Sequence, residues 1–231
     1  MIIDIESYQK YLKGFYIYDC TYGYEHGKVG LSLIEVVDEE HAEYENPFYP
    51  PEKRLISITF TLSKKYRIYG RRATGISLMT ISSGWPPSQT EYVMVSQDRD
   101  VMSYKEDVYK GVEESINILI PGSIDMFSVI IKVVRIENSV YAIGSGFRIY
   151  KRVDHQIWRE HSTYLPVPDG LLDRKVEAIT RSRFRDLSGF SESDMYAVGG
   201  TGTVYHFNGE QWKQLPFPTN KLLYTVCCAG D

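Results

Sequence analysis

Five histidines, three cysteines and a few glycine-framed hydroxyls are the side chains from which chemistry would have to be built. The histidines are His26, His41, His155, His161 and His206. A metal site needs ligands at a recognised spacing such as HExxH, and none occurs here. Each histidine therefore reads as a surface or turn residue. Cys20, Cys227 and Cys228 form no CxxC, and adjacent cysteines rarely pair with each other, so the odd count fits a reduced, cytosolic chain. On a strand, Cys227 and Cys228 would point to opposite faces, one of them toward the core. Gly189-Phe190-Ser191-Glu192-Ser193 lacks the closing glycine of a nucleophile elbow. Gly144-Ser145-Gly146 and Gly200-Thr201-Gly202 read as hairpin turns, because no helix follows to aim its amides at a phosphate. No catalytic residue, metal or cofactor is expected, and the chain reads as a binder before an enzyme.

Charge supplies the remaining candidates. Arg181, Arg183 and Arg185 alternate with Ser182 and Phe184. On a strand they would present three guanidinium groups on one face, able to hold carboxylates or phosphates in bidentate fashion. Asp38-Glu39-Glu40 opens the acidic stretch DEEHAEYE, which would engage a basic partner. Lys64, Lys65, Arg67, Arg71 and Arg72 read as a solvated face. The formal net charge is −4, so there is no basic footprint for nucleic acid. The N-terminal MIIDIESYQKYLKG is broken by Asp4, Glu6 and Lys10 and is no secretion signal. No run approaches the length of a membrane span. A cytoplasmic protein is expected, with neither nucleic acid nor membrane as partner.

The elements that must position these residues are strands. Residues 5–13 suit one short helix, with Ile5, Tyr8 and Leu12 on a face and Gly14 as its stop. Strand patterns follow at Phe15 to Tyr22, Lys28 to Val37 and Leu55 to Thr61. Residues 1–74 read as a less regular β segment. From residue 75 a repeat takes over. Met195 to Trp212 (MYAVGGTGTVYHFNGEQW) reads as three short strands, with glycines in the first turn and Asn208-Gly209 as a hairpin signal in the second. Val140 to Trp158 repeats it: Tyr141 matches Tyr196, Tyr150 matches Tyr205, and Trp158 matches Trp212 with one residue of slippage. Tyr92 to Tyr104 is a fainter third copy. The leading tyrosines Tyr92, Tyr141 and Tyr196 are spaced by 49 (141 − 92) and 55 (196 − 141) residues. A period of about 50 built from short strands signals a β-propeller or related array.

The glycine pair Gly199-Gly200, then Tyr205, then Trp212 resembles the Kelch-type propeller repeat, over residues 92–231. The other copies carry Gly144-Ser145 and Ser96-Gln97 in place of the doublet. The resemblance implies that these glycines and aromatics are framework residues that turn and pack the sheets. The fold expected is all-β, with propeller-type antiparallel sheets, about four to five at roughly 50 residues each, in units starting near 75, 126, 176 and 222.

The last unit would consist of its first strand alone, Leu222 to Ala229. An N-terminal strand, Phe15 to Tyr22 or Lys28 to Val37, would complete it; otherwise the chain is a piece of a longer one, or another chain covers the edge. The function expected is non-catalytic protein binding, in its specific form a bacterial cytosolic inhibitor, an immunity protein that plugs a toxin's active site, with a basic toxin domain as partner. The alternatives are an enzyme or a carbohydrate- or anion-binding propeller with its site at the central channel and the Arg181 to Arg185 face contributing, or a scaffold segment of a longer propeller protein.

Overall fold

The computed structural model describes residues 3–37, 51–105, 108–117, 129–162, 165–166, 178 and 181–230. The fold is all-β and of propeller type. Among the described residues, four antiparallel four-stranded sheets form, each a meander in which every strand pairs with its neighbour in sequence. The sheets divide into two units. The first holds residues 1–84 and 90–114, the second residues 85–89 and 115–231.

The first unit opens with helix α1 (Ile5–Tyr11), whose N-cap Asp4 accepts from the Ser7 amide at 2.8 Å. That bond holds the Asp4 carboxyl below its ordinary range. Its first sheet is β1 (Phe15–Tyr22), β2 (Lys28–Glu35), β3 (Lys53–Thr59) and β4 (Ile68–Ala73). The sequence predicts an irregular segment here, and the structure corrects that to a regular sheet. The strand patterns at 15–22, 28–37 and 55–61 become β1, β2 and β3, and β2 and β3 are covered on both faces, with Lys28, Lys53 and Arg54 buried. The two N-terminal candidates for completing the last unit are β1 and β2, and they pair with each other from Phe15↔Glu35 to Tyr22↔Val29.

The second sheet of this unit is β5 (Met79–Gly84), β6 (Glu91–Ser96), β7 (Val101–Lys105) and β8 (Tyr109–Glu113). Tyr69 stacks on Tyr104 at 4.8 Å and Tyr24 meets Tyr92 at 5.0 Å, so tyrosines fill the space between the two sheets. Burial pushes the Tyr92 hydroxyl up to about 12. Gly30 makes room for that ring, since a Cβ there would lie 2.5 Å from it.

The second unit holds β9 (Ile130–Ile136), β10 (Ser139–Gly144), β11 (Ile149–Asp154) and β12 (Ile157–Glu160), then β13 (Phe184–Ser191), β14 (Asp194–Gly199), β15 (Thr203–Phe207) and β16 (Trp212–Leu215). The repeat read from sequence is real in this unit. Tyr150 and Tyr205 sit in the same slot, opposite Ala142 and Ala197. Tyr141 and Tyr196 both lie three residues before a strand-ending glycine. Their surroundings differ, however: Tyr141 is fully buried, while Tyr196 is half-exposed and stacked on His206 at 4.5 Å. Tyr92 lies four residues before the end of β6, so the first copy is one residue out of register.

The glycines are framework. A Cβ on Gly144 would lie 2.0 Å from the Val129 carbonyl oxygen, and one on Gly199 2.1 Å from that of Arg183. At both positions the chain entering the sheet's first strand crosses too closely for any side chain. The first strands start later than the sequence suggests, at Met79, Ile130 and Phe184. β13 runs on through Gly189-Phe190-Ser191, beyond the lead strand expected to end at Phe184. The structure keeps that stretch in the strand through a bulge between Gly189 and Ser191.

Between its two sheets the second unit buries Tyr141, Ile143, Phe147, Phe184, Tyr205 and Trp212 in one core. His161 corrects the expectation of a surface histidine. It packs edge-on to Phe207 (4.7 Å) and Tyr141 (5.5 Å), and the Trp212 indole donates to its carbonyl at 3.1 Å. Burial, then the charge of Lys151, depresses its pKa.

Candidate protein-interaction surface

The second unit ends in LLYTVCCA, Leu222 to Ala229, which the sequence predicts to be the first strand of another sheet. The backbone places it where such a strand belongs. The turn after β10 bridges the chain ahead of β13, through Ser145↔Arg183 and a 2.6 Å bond from the Gly146 amide to the Ser182 carbonyl. The turn after β14 bridges the C-terminal segment in the same way, through Thr201↔Leu222 and a 2.7 Å bond from the Gly202 amide to the Lys221 carbonyl.

A second parallel comes from two aspartates. Asp186 follows a bulge in β13. One of its oxygens accepts from the Leu187 amide (3.0 Å) and the other from the Val226 amide (3.1 Å) and Thr225 Oγ1 (2.8 Å). Asp19 follows a bulge in β1. It accepts from the Cys20 amide (2.8 Å) and, across to the next first strand, from the Ile81 amide (2.9 Å). An aspartate in one first strand thus pins the backbone of the next. Ser188 Oγ extends the clasp by accepting from the Cys228 amide at 3.0 Å.

The likeness stops at pairing. β5, pinned by Asp19, carries β6 on its far edge. Beyond the single bridge at Leu222, no ladder forms on residues 223–229 among the described residues. The expected strand is therefore an extended segment whose Val226 and Cys228 amides are held by side chains, with no ladder partner on residues 223–229 among the described residues. Two of its apolar side chains are uncovered, Tyr224 63% and Leu222 37% exposed, while Leu223 and Val226 are half-buried. Cys227 is exposed and Cys228 half-buried; both are free thiols, as is Cys20.

The arginine triplet meets this segment, though not as one strand face. β13 begins at Phe184, so only Arg185 lies within it. Arg183 forms the isolated bridge just ahead, and Arg181 precedes both and is exposed. Arg185 lies over the Tyr224 ring at 5.5 Å, and its buried Nε has no hydrogen-bond acceptor among the described residues. Burial, then the neighbouring charge of Arg185, lowers the Arg183 pKa. Arginine and tyrosine beside an unpaired strand are the residue types that carry binding energy at protein interfaces. The sequence did not single out Asp19, Asp186 or Tyr224. The available signal was an apolar residue two before each aspartate, in Ile17-Tyr18-Asp19 and Phe184-Arg185-Asp186. Asp38, Glu39 and Glu40 lie outside the described residues.

No family model matches the chain. It is 33% identical over 96 residues to "Immune protein Tsi7" of Pseudomonas aeruginosa, a stretch that covers 42% of this chain and 29% of that protein. The match therefore spans under a third of the curated relative's length. Among solved structures it is similar to the WD40 repeats of RRP9, with 8% identity and a TM-score of 0.43, covering 87% of this chain and 64% of that one. It is also similar to YCF48 bound to D1 peptide, with 13% identity and a TM-score of 0.40, covering 88% and 82%. Among the described residues no helix is long and apolar enough to cross a membrane.

Proposed function

We propose that the protein is a non-catalytic, protein-binding inhibitor of the immunity type, whose partner is a toxin domain. The observation that carries this reading is the open C-terminal segment with Arg185 over Tyr224 beside it. It offers unpaired backbone groups for strand addition and an arginine–tyrosine anchor for specificity. The partial match to a protein named as an immune protein supports the biological role. The Kelch likeness of Gly199-Gly200, Tyr205 and Trp212 belongs to the same reading, as the rigid frame that presents the segment. The proposed compartment is the cytoplasm, where the free thiols stay reduced. In this reading the acidic run from Asp38 to Glu45 meets basic surface on the toxin, consistent with the net charge of −4.

The test is co-expression with a candidate toxin encoded beside this chain's gene. The expected result is restored growth and a stoichiometric complex on gel filtration. Arg185→Ala and Tyr224→Ala should each weaken the complex by about 10- to 100-fold, the range for an interface hot spot. Growth rescue without complex formation, or full affinity in both variants, would remove the basis for the proposal.

A further inference from the structure

In the first unit, a cavity of about 440 Å³ opens between α1 and the strands β3 and β4, lined by Lys10, Tyr11, Arg54, Gly70, Arg71 and Arg72. Its size is in the range of small-ligand sites. Three of these residues, Lys10, Arg54 and Arg72, bring cations to the α1 side, none of the six is an acid, and Arg71 alternates with Arg72 on β4 and turns its guanidinium to Tyr69 on the other face. The nearby Glu52 carboxylate serves two of them, Arg54 at 2.6 Å and Arg72 at 3.5 Å. Arg54 and Arg72 are direct cross-strand partners. Like charges so placed repel unless an anion lies between them, and among the described residues one carboxylate leaves most of the positive charge unmatched.

The geometry is built, not incidental. Arg54 is nine-tenths buried. Its Nη1 donates to the carbonyls of Lys10 (3.1 Å) and Tyr11 (2.9 Å) at the end of α1, and its guanidinium lies 3.7 Å from the Phe15 ring centroid. Those bonds use Nε and Nη1; among the described residues none is made by Nη2. Gly70 keeps the space open, because a Cβ there would lie 2.8 Å from the Tyr11 ring and 2.7 Å from Ile56 Cδ1. Lys10 sits over the Tyr11 ring at 4.8 Å, at the exposed end of the helix.

We propose that this cavity binds a small polyanion, a ligand that presents two or more oxyanion groups, either phosphate or carboxylate. The rigid fork of Arg54 and the mobile cations of Arg72 and Lys10 would divide those oxyanions between them. In this proposal the reading of Lys64 to Arg72 as a merely solvated face gives way at Arg72.

The probes are inorganic pyrophosphate and citrate, titrated into the full chain by calorimetry and thermal shift, with sodium chloride at matched ionic strength as reference. The expected result is saturable binding by at least one of them. Pyrophosphate alone would point to a phosphate-bearing ligand, and citrate alone to a polycarboxylate. The double variant Lys10→Ala/Arg72→Ala should lose about tenfold or more in affinity, as befits the loss of charge-assisted bonds. Both side chains are surface-exposed, so folding is preserved, and Arg72→Gln alone gives a second, milder reading. Equal responses to chloride and to both anions, or unchanged affinity in the variants, would overturn the proposal.

Discussion

Replacing Asp186 by alanine should release the C-terminal segment while leaving the sheets in place. Four donors converge on this buried carboxylate: the Leu187 and Val226 amides, Thr225 Oγ1, and Lys132 Nζ at 2.7 Å. Leu187 is buried, so stranding its amide costs about 1–3 kcal/mol. The lysine is 41% exposed, so its ion pair is worth at most about 1 kcal/mol. Thr225 is exposed and Val226 half-buried, so water replaces much of what they lose, at about 0.5–1.5 kcal/mol each. These contributions add to about 2–7 kcal/mol, or roughly 5–25 °C in Tm for a chain of this length. Urea and thermal denaturation measure the loss. Hydrogen exchange locates it: the amides of Val226 and Cys228 should be protected in the wild type, and both should exchange faster in Asp186→Ala. Asp186→Asn retains an acceptor but loses the charge facing Lys132, and should fall between. A Val226 amide that exchanges equally fast in wild type and variant would refute the clasp, and with it the placement of Leu222 to Ala229 as a pinned strand.

Three further outcomes follow from the same structure. Gly199→Ala should destabilise by about 1–3 kcal/mol, the usual cost of overpacking, because its methyl would overlap the Arg183 carbonyl; Gly75→Ala, with open space around it but φ +71, should cost only backbone strain. Paired denaturation curves compare them, and equal losses would show that the close crossing is not what selects glycine. Acid should weaken the second unit through His161. Its folded pKa lies below the unfolded value, so its contribution is fully present above about pH 6.5 and is lost as pH falls through the folded pKa. His161→Phe should flatten the stability profile below pH 6.5, and an unchanged slope would exclude this histidine as the cause. Trp212→Ala removes a buried indole and its bond to the His161 carbonyl and should cost about 3–5 kcal/mol, read by denaturant midpoint.

The sequence by itself determined the fold class and much of the repeat in the second unit. Glycine where backbones cross, and tyrosine at fixed distance from it, are demands that a meander of packed sheets writes directly into residue identity. The strands β1 to β3 of the first sheet were also legible, near their observed bounds, and tertiary structure decided that they join β4 in one regular sheet. It also decided the functional surfaces. Asp186 and Val226 are 40 residues apart and meet only when one first strand lies beside the next. Lys10, Arg54 and Arg72 come from three elements and line one cavity only once α1 lies against β3 and β4. Local pattern can specify which face of a strand is buried; it cannot specify which distant side chains that burial brings within reach of one another.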